Sequence, residues 1–389
     1  MTDPRAWLER IRALPLPERV RIMNVCGGHE RSITMAGLRG ALPPQIELIP
    51  GPGCPVCVCP EEDIYAAIQL ARRGVVVAAF GDMLRVPCNA PKAEPRSLEQ
   101  AKAAGGAVRP VSSPEEVLAI AAAQPEREVV FFAAGFETTT APVAGVVARS
   151  LQAGEGESAW PPNLSLLLSG RLTWPAVALL LDSDTPGFDA LVAPGHVSTV
   201  MGPEEWAFVP EKHGLPAAVA GFTTDSLLAA TYSVLRQVIE GKPFLDNCYA
   251  QVAKPGGNPT ARAVLGQVMD VTDANWRGIG VIPRSGFALK PELAALDARA
   301  RFAIEPEQDR KRAGEMPPGC DCARVVLGKI YPNECILYGR ACTPRKPIGP
   351  CMVSDEGACR IWWASGVREA VGGRLAADGP ESRATRAPT

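Results

Sequence analysis

Two short segments near the start of the chain carry thiols in patterns that suit metal binding or redox chemistry. They are Cys26-Gly-Gly-His29-Glu30 and Cys54-Pro-Val-Cys57. A C-x-x-C spacing suits a redox-active dithiol or two metal ligands. A histidine three residues after a cysteine can ligate a metal, orient a thiolate or move a proton, and Glu30 could fix its tautomer or cap the helix. We therefore predict one reactive site formed by Cys26, His29, Glu30, Cys54 and Cys57.

Each thiol segment follows a predicted strand, over 20–25 and 46–49, and precedes a predicted helix. In open α/β sheets, ligands bind beyond the carboxyl ends of the strands, so neighbouring strands would place the three thiols in one crevice. A helix N-terminus lowers the pKa of a thiol, and the nearby glycines leave room for a bulky ligand. A single C-x-x-C or a lone histidine often has no function. A zinc site formed by these cysteines and the histidine is an alternative. The recurrence of thiols at equivalent points of two β–α units favours a functional site.

A second group of six cysteines lies between Cys320 and Cys359. Four thiolates at irregular spacings suit a cubane iron–sulfur cluster, whereas structural zinc prefers tight C-x2–4-C arms. We predict that one [4Fe-4S] cluster is bound here, and that Cys351 is an alternative to Cys359 as the fourth ligand. The predicted ligands are Cys320, Cys335, Cys342 and Cys359.

The composition excludes several classes of protein. The chain has 389 residues and a net charge of -2, without a basic stripe that would bind nucleic acid. It has no apolar run long enough for a membrane span and no signal-peptide pattern at its start, so we expect a cytoplasmic protein. Twelve cysteines in that compartment indicate metal ligation or redox chemistry rather than structural disulfides.

Strands and helices alternate along most of the chain, which predicts an α/β fold with parallel sheets. We expect two Rossmann-like parallel-sheet domains over 21–128 and 129–255, and a C-terminal α/β domain over 256–371 that carries the iron–sulfur cluster. A helix within 1–20 could pack on that third domain. The Gly-, Ala-, Arg- and Pro-rich segment 372–389 is predicted to be a disordered tail.

Five motifs, in this order along the chain, resemble those of the HypD-type [NiFe]-hydrogenase maturation factors, and the resemblance runs from about residue 20 to about residue 364. They are Cys26-Gly-Gly-His-Glu30, Pro50-Gly-Pro-Gly-Cys-Pro-Val-Cys57, Gly81-Asp-Met-Leu-Arg-Val-Pro87, Gly135-Phe-Glu-Thr-Thr-Thr140, and Cys342-Thr-Pro344 with Gly349-Pro-Cys-Met-Val-Ser-Asp-Glu-Gly-Ala-Cys359.

The resemblance implies a scaffold on which the Fe(CN)2CO group of the hydrogenase is assembled. The iron would be held between Cys26 and the N-terminal cysteine of a small HypC-type partner. Cyanide would come from a HypE-type partner, made from carbamoyl phosphate by a HypF-type partner. The C-terminal domain would carry one [4Fe-4S] cluster, and the dithiol of Cys54 and Cys57 would relay electrons. Within this picture, His29 could hydrogen-bond a bound cyanide, and 138–140 could line the same crevice.

Three cysteines have no predicted role in this scheme. Cys59 and Cys88 depart from the family pattern, and Cys59 could compete with Cys57 for a disulfide. Cys248 stands outside any motif, which is typical of a buried small hydrophobic residue. Two alternative functions stay open, namely a free-standing iron–sulfur and dithiol oxidoreductase and a zinc-stabilised structural protein. Neither a G-x-G-x-x-G nor a P-loop indicates a nucleotide cofactor for the first.

Overall fold

The computed structural model describes residues 3–153, 159–183, 186–304 and 316–368, so the predicted tail 372–389 lies outside the described residues. The α/β class is confirmed. The strands are β1 Val20–Cys26, β2 Ile46–Gly53, β3 Val76–Phe80, β4 Val108–Val111, β5 Val129–Gly135, β6 Leu164–Arg171, β7 Ala190–Pro194, β8 Ala217–Ala220, β9 Leu245–Asn247, β10 Met269–Trp276 and β11 Gly280–Leu289.

The α-helices are α1 Pro4–Arg12, α2 Gly27–Met35, α3 Leu38–Ala41, α4 Pro55–Val58, α5 Glu61–Arg72, α6 Leu98–Ala103, α7 Pro114–Ala122, α8 Glu137–Gln152, α9 Thr173–Leu181, α10 Gly195–Met201, α11 Phe208–His213, α12 Thr224–Glu240, α13 Pro259–Val268, α14 Ala298–Arg301, α15 Cys322–Val326 and α16 Ala358–Ala364. Short 3-10 turns join several of them. Within the described residues, no helix is both long and apolar enough to cross a membrane.

The first sheet has the strand order β2-β1-β7-β8-β9, and all its pairings are parallel. Its central strands are apolar and buried on both faces, as is usual when helices cover both sides of a parallel sheet. Helices α1, α2 and α12 pack on one face, and α9 and α11 pack on the other. The strands predicted over 20–25 and 46–49 are neighbours in this sheet.

The second sheet has the order β10-β11-β6-β5-β3-β4 and is mixed. Strands β3 to β6 are parallel, whereas β10 and β11 form an antiparallel hairpin whose second strand pairs antiparallel with β6. Gly278, at φ 72°, lies in the tight turn of this hairpin. The expectation of two purely parallel sheets is therefore wrong at this edge, because the hairpin supplies the pairing that β6 needs.

The strands of the two sheets do not divide at residue 128. After β2 and α5 the chain crosses to the second sheet as β3, and it returns to the first sheet as β7. Each sheet therefore takes strands from both 21–128 and 129–255. Local patterns fix where strands form, whereas the partner of each strand depends on long-range packing.

The N-terminal helix α1 packs on α12 of the first sheet, whereas the sequence analysis considered packing on the third domain. The indole of Trp7 donates a hydrogen bond of 2.8 Å to Asp225, and its ring lies 5.5 Å from that of Tyr232. The apolar side of α1 is thereby buried beside the strands of the first sheet, with Ile11 fully buried.

The segment 316–368 forms short helices, turns and isolated bridges. The strands described within 256–371 are β10 and β11, and both belong to the second sheet, so the expected separate C-terminal α/β domain does not form a sheet of its own there. The cysteines of this segment share one hydrophobic cluster with the second sheet, through residues such as Trp276, Val325 and Met352. This packing places the cysteine-rich segment beside the carboxyl ends of both sheets.

Candidate thiol site and metal centre

The carboxyl ends of strands from both sheets meet around one crevice of about 290 Å³. Since these ends point toward the same space, side chains that follow five different strands converge there. Polar or reactive side chains in its wall come after β1, β3, β5, β6 and β7 and from the C-terminal segment: Cys26, Asp82, Thr138, Thr139, Thr173, His196 and Glu356.

Cys26 ends β1 and lies at the N-terminus of α2, beside Gly53 in the register of the first sheet. The backbone N–H groups of Gly28 and His29 point to its sulfur and lower its pKa, as the sequence analysis expected. Removal from water acts in the opposite direction and is the larger effect, so burial raises the pKa of the Cys26 thiol to about 12. The prediction of a lowered pKa is therefore wrong for Cys26.

A second and much smaller cavity lies on the other side of Cys26. Its wall includes Cys26, Cys54, Cys57 and Cys351. The first three are the thiols that the sequence analysis placed in one crevice, and Cys54 and Cys57 are joined in a disulfide. Cys59 takes no part in this bond, since its sulfur is free and lies 3.5 Å from the hydroxyl of Ser169.

His29 is fully buried and does not line the larger crevice. Its Nε2 lies 3.0 Å from the carbonyl oxygen of Ala220. Since a carbonyl oxygen can only accept a hydrogen bond, Nε2 carries the proton and donates a hydrogen bond to Ala220. Burial lowers the pKa of His29 to about 4, because the imidazolium is poorly solvated. The ring is therefore neutral at neutral pH, and its Nδ1 has no hydrogen-bond partner.

Glu30 connects the thiol segment to the C-terminal segment. Its buried carboxylate pairs with Arg39 at 2.7 Å and accepts hydrogen bonds from Asn24 at 3.1 Å and from the indole of Trp362 at 2.7 Å. The tautomer of His29 is set by Ala220, so the suggestion that Glu30 fixes it is not supported. Glu30 instead holds α2 and α16 together.

The threonines of the Gly-Phe-Glu-Thr-Thr-Thr motif divide into two groups. Thr138 and Thr139 line the crevice as predicted, whereas Thr140 is buried and donates a 3.2 Å hydrogen bond to the carbonyl of Phe136. The buried Glu137 accepts hydrogen bonds of 2.7 Å from both the backbone N–H and the hydroxyl of Thr173. Burial nevertheless raises the pKa of Glu137 to about 7.

Several crevice residues were not singled out from the sequence. His196 comes two residues after β7 ends, whereas Cys26 is the last residue of β1. The ring of His196 lies against that of Phe222, with 3.8 Å between ring centroids. Asp82, after β3, and Glu356, in the C-terminal segment, add two carboxyl groups to the wall. The available signal was a histidine at a strand end, in a chain with only three histidines.

Three of the C-terminal cysteines form a candidate metal centre. The sulfur atoms of Cys322, Cys351 and Cys359 all lie within 4.8 Å of one another, and all three residues are buried. The other two thiols donate hydrogen bonds to the sulfur of Cys351, which lowers its pKa. Cys322 and Cys351 were not among the four predicted cluster ligands, whereas the structure groups both with Cys359.

The other predicted cluster ligands lie in the same region. The sulfur of Cys320 is 3.3 Å from that of Cys322, and the sulfur of Cys342 accepts a 3.3 Å hydrogen bond from the backbone of Ile348. A Cβ on Gly349 would overlap the sulfur of Cys320, so the chain passes directly over these thiols. Cys335 and Cys342 are both buried in the same hydrophobic cluster. The region thus offers enough soft thiolate donors for a cluster or a single metal ion.

A larger cavity of about 640 Å³ lies elsewhere, between α5 and the β10–β11 hairpin. Three of its charged side chains pair with one another, since Asp63 lies 2.7 Å from Arg299 and 3.8 Å from Arg171. No cysteine lines it. We therefore assign the chemistry to the crevice of about 290 Å³ that Cys26 lines.

Comparison with known proteins finds relatives that match nearly the whole chain. The family model described as HypD, "Hydrogenase formation hypA family", matches residues 4–366. The chain is 40% identical over 370 residues to a hydrogenase maturation factor HypD of Azotobacter vinelandii, covering 93% of this chain and 94% of the relative. It is 39% identical over 349 residues to the HypD of Rhodobacter capsulatus, covering 89% of each chain, and 38% identical over 348 residues to that of Escherichia coli K12, covering 88% of each.

Proposed function

The chain belongs to the HypD family of hydrogenase maturation factors, and from this premise we propose that it is the scaffold on which the Fe(CN)2CO group of a [NiFe]-hydrogenase is assembled. In this proposal the iron is cargo, bound by the thiolate of Cys26. Low-spin iron that carries cyanide and carbonyl prefers such soft ligands. The proposal keeps the sequence-based prediction of a cytoplasmic protein, where free thiols stay reduced.

The position of Cys26 between two cavities is the observation that carries the proposal. On one side its sulfur borders the crevice of about 290 Å³, which has room for an iron group and opens to solvent. On the other side it borders the small cavity that it shares with Cys54, Cys57 and Cys351. A thiol in this position can hold cargo on one face while redox-active sulfurs lie behind it.

The open crevice also suits access by partners. We propose that a HypC-type protein presents its N-terminal cysteine to the iron from the solvent side, and that a HypE-type protein delivers cyanide there. Asp82 and Glu356 place two carboxyl groups in the wall of the crevice, and burial raises the pKa of both, that of Glu356 to about 7. The neutral His196 adds no positive charge near neutral pH, since burial lowers its pKa. This wall would favour a partner that brings a positively charged or hydrogen-bond-donating group.

The C-terminal cysteines fit an iron–sulfur cluster by their chemistry, since soft thiols crowd together there in a buried region. We propose that Cys320, Cys335, Cys342 and Cys359 hold a [4Fe-4S] cluster. When bound, such a cluster supplies or accepts single electrons. Cys322 and Cys351 lie next to this set, and Cys351 also borders the cavity of the Cys54–Cys57 disulfide. Cys351 therefore connects the region of the proposed cluster with the small cavity that Cys26 also lines.

Within this arrangement, the protein's own residues have separate tasks. The Cys54–Cys57 pair can pass between dithiol and disulfide, which takes up or releases two electrons and two protons. Glu30 and its partners keep α2 against α16, so that the thiol segment and the C-terminal segment do not separate. Cys26 must lose its proton to bind iron, and the backbone N–H groups of Gly28 and His29 stabilise the resulting thiolate.

The test is infrared spectroscopy on the protein isolated without oxygen together with its HypC-type partner. We expect stretching bands of metal-bound cyanide and carbonyl, together with the brown colour of an iron–sulfur protein. Colourless protein without these bands, prepared from cells that make active hydrogenase, would contradict the scaffold function. A free-standing oxidoreductase would show the brown colour and no cyanide or carbonyl bands.

A further inference from the structure

We propose that His196, rather than His29, is the imidazole that hydrogen-bonds to the cyanide ligands of the iron group, and that Phe222 is the residue that positions it. The inference rests on the proposed function, because it concerns cargo bound to Cys26. It differs from the sequence-based expectation, in which His29 of the Cys26-Gly-Gly-His29 motif has this role. Three observations on the rings around the crevice carry it.

The first observation is that the only N–H of His29 is already used. The buried ring is neutral and donates from Nε2 to the carbonyl of Ala220 at 3.0 Å. Its other nitrogen, Nδ1, can then only accept a hydrogen bond. The nitrogen of an iron-bound cyanide is also an acceptor, so the two atoms cannot bond to each other. His29 also does not line the crevice.

The second observation is that His196 is free to donate. It lies in the crevice wall with Cys26, and its side chain is exposed to that space. Among the described residues, no hydrogen bond or ion pair engages its ring, which makes contact with Phe222 through its face. A neutral imidazole carries one N–H, and that of His196 can point toward a group on the sulfur of Cys26.

The third observation is that Phe222 lies between the two histidines. Its ring centroid is 3.8 Å from that of His196 and 4.9 Å from that of His29. A Cβ on Gly28 would lie 2.7 Å from the Phe222 ring and 3.5 Å from the sulfur of Cys26. The ring therefore rests against the backbone that carries the iron-binding thiol. Phe222 thus links the backbone beside Cys26 to the imidazole of His196.

The crevice offers few competing donors. The hydroxyl of Thr173 donates to Glu137. Burial raises the pKa of Glu356 to about 7, so this carboxyl only accepts when it is ionised and is a competing donor when it is protonated. The hydroxyls of Thr138 and Thr139 are the remaining neutral donors in the wall. Cyanide bound to iron carries negative charge on nitrogen, so a hydrogen bond to it is charge-assisted and short. Such a bond draws electron density from the metal, and it raises the stretching frequencies of both cyanide and carbonyl.

The experiment compares infrared spectra of variants in complex with the small partner. In His196→Ala we expect the cyanide bands to remain and to move to lower wavenumber, with a smaller move of the carbonyl band in the same direction. His196→Gln restores an N–H donor and should return the bands toward their wild-type positions. His29→Gln should leave the band positions unchanged. Phe222→Leu should broaden the cyanide bands, because His196 then takes several orientations.

Three results would overturn the inference. The first is unchanged cyanide bands in His196→Ala, and the second is a shift in Thr138→Val or Thr139→Val instead. The third is loss of all bands from both His196→Ala and His196→Gln, since a hydrogen bond to cyanide tunes the iron group and does not hold it on the thiolate. Failure of the proposed function is distinct, because the wild-type complex itself would then show no cyanide or carbonyl bands.

Discussion

Gly27 and Glu356 lie in direct contact, although one belongs to the thiol segment and the other to the C-terminal segment. A Cβ on Gly27 would overlap the carbonyl oxygen of Glu356 and would lie 2.6 Å from its Cβ. A glycine at this position is therefore what allows the two backbones to approach so closely. The contact holds Cys26 next to the small cavity that it shares with Cys351, and it links the proposed iron site to the proposed cluster.

This contact predicts the effect of Gly27→Ala. The added methyl meets backbone atoms, which cannot rotate away, so the two segments must separate. We expect the free energy of unfolding to fall by about 1–3 kcal/mol, as for other overpacking substitutions. We also expect weaker retention of the iron group. Denaturant unfolding and the intensity of the cyanide bands measure the two effects.

Gly145→Ala is the matched control. Gly145 lies within α8, and a Cβ there would meet no atom within 4 Å. Replacing an unstrained helical glycine by alanine should stabilise the protein by about 0.5–1 kcal/mol. Equal stability of the Gly27 variant and wild type would contradict the close contact.

The assignment of the cluster ligands predicts distinct effects of two neighbouring cysteines. Cys359→Ala should lose most of the iron and acid-labile sulfide of the cluster, together with the brown absorbance. Cys351→Ala should keep the cluster, because Cys351 is outside the proposed ligand set. Cys248 packs against the core of the first sheet. Cys248→Ala is therefore the control for the loss of a thiol outside the cluster region. A full cluster in the Cys359 variant and none in the Cys351 variant would exchange these two assignments.

The disulfide predicts which cysteines matter for the redox step. Cys54→Ala should keep the cluster absorbance and should chiefly impair formation of active hydrogenase, because the dithiol can no longer form or break its bond. Cys59→Ala should have little effect, since the sulfur of Cys59 contacts Ser169 and is outside the disulfide. Mass spectrometry after thiol alkylation should find two additional reducible thiols in wild type and in the Cys59 variant. Normal hydrogenase formation with Cys54→Ala would refute the relay.

Glu137 predicts a particular dependence of stability on pH. Burial raises its pKa from the ordinary 4.5 to about 7, so the folded state binds more protons than the unfolded state between these values. Stability therefore falls as the pH rises from about 4.5 to about 7, by about 3 kcal/mol for this group. His29 acts oppositely, because its lowered pKa makes stability rise between about 4 and 6.5.

The difference between wild type and Glu137→Gln isolates this effect, since His29 is common to both proteins. The free energy of unfolding should decrease with pH more steeply in wild type than in the variant across this range. Denaturant titrations near pH 5 and near pH 7.5, at constant ionic strength, provide the comparison. Parallel profiles would mean that Glu137 is ionised without penalty in the folded protein.

The sequence predicted the local elements well, because each depends on neighbouring residues. The strand predicted over 20–25 is β1, and the strand predicted over 46–49 is β2, and each begins at the predicted residue. The apolar run of a fully buried strand and a terminal glycine after a helix are strong local signals. Strands β4, β9 and β10 lacked such a run and were not predicted.

The sequence could not predict how the elements assemble. Nothing in β3 or β7 indicates to which sheet each strand belongs, because that choice depends on crossovers and on the packing of distant helices. For the same reason, spacing alone did not place Cys322 and Cys351 beside Cys359. His29 attracted attention through its motif, whereas only the fold shows that its N–H is used by Ala220.

The most direct measurement of the central claim is the infrared spectrum of Cys26→Ala in complex with the small partner. The account predicts that the cyanide and carbonyl bands disappear while the absorbance of the iron–sulfur cluster remains, because Cys26 is the thiol that borders both the crevice and the small cavity. Cys248→Ala, treated identically, should keep both signals. Undiminished cyanide and carbonyl bands from Cys26→Ala would contradict the account, since the iron group would then be held elsewhere.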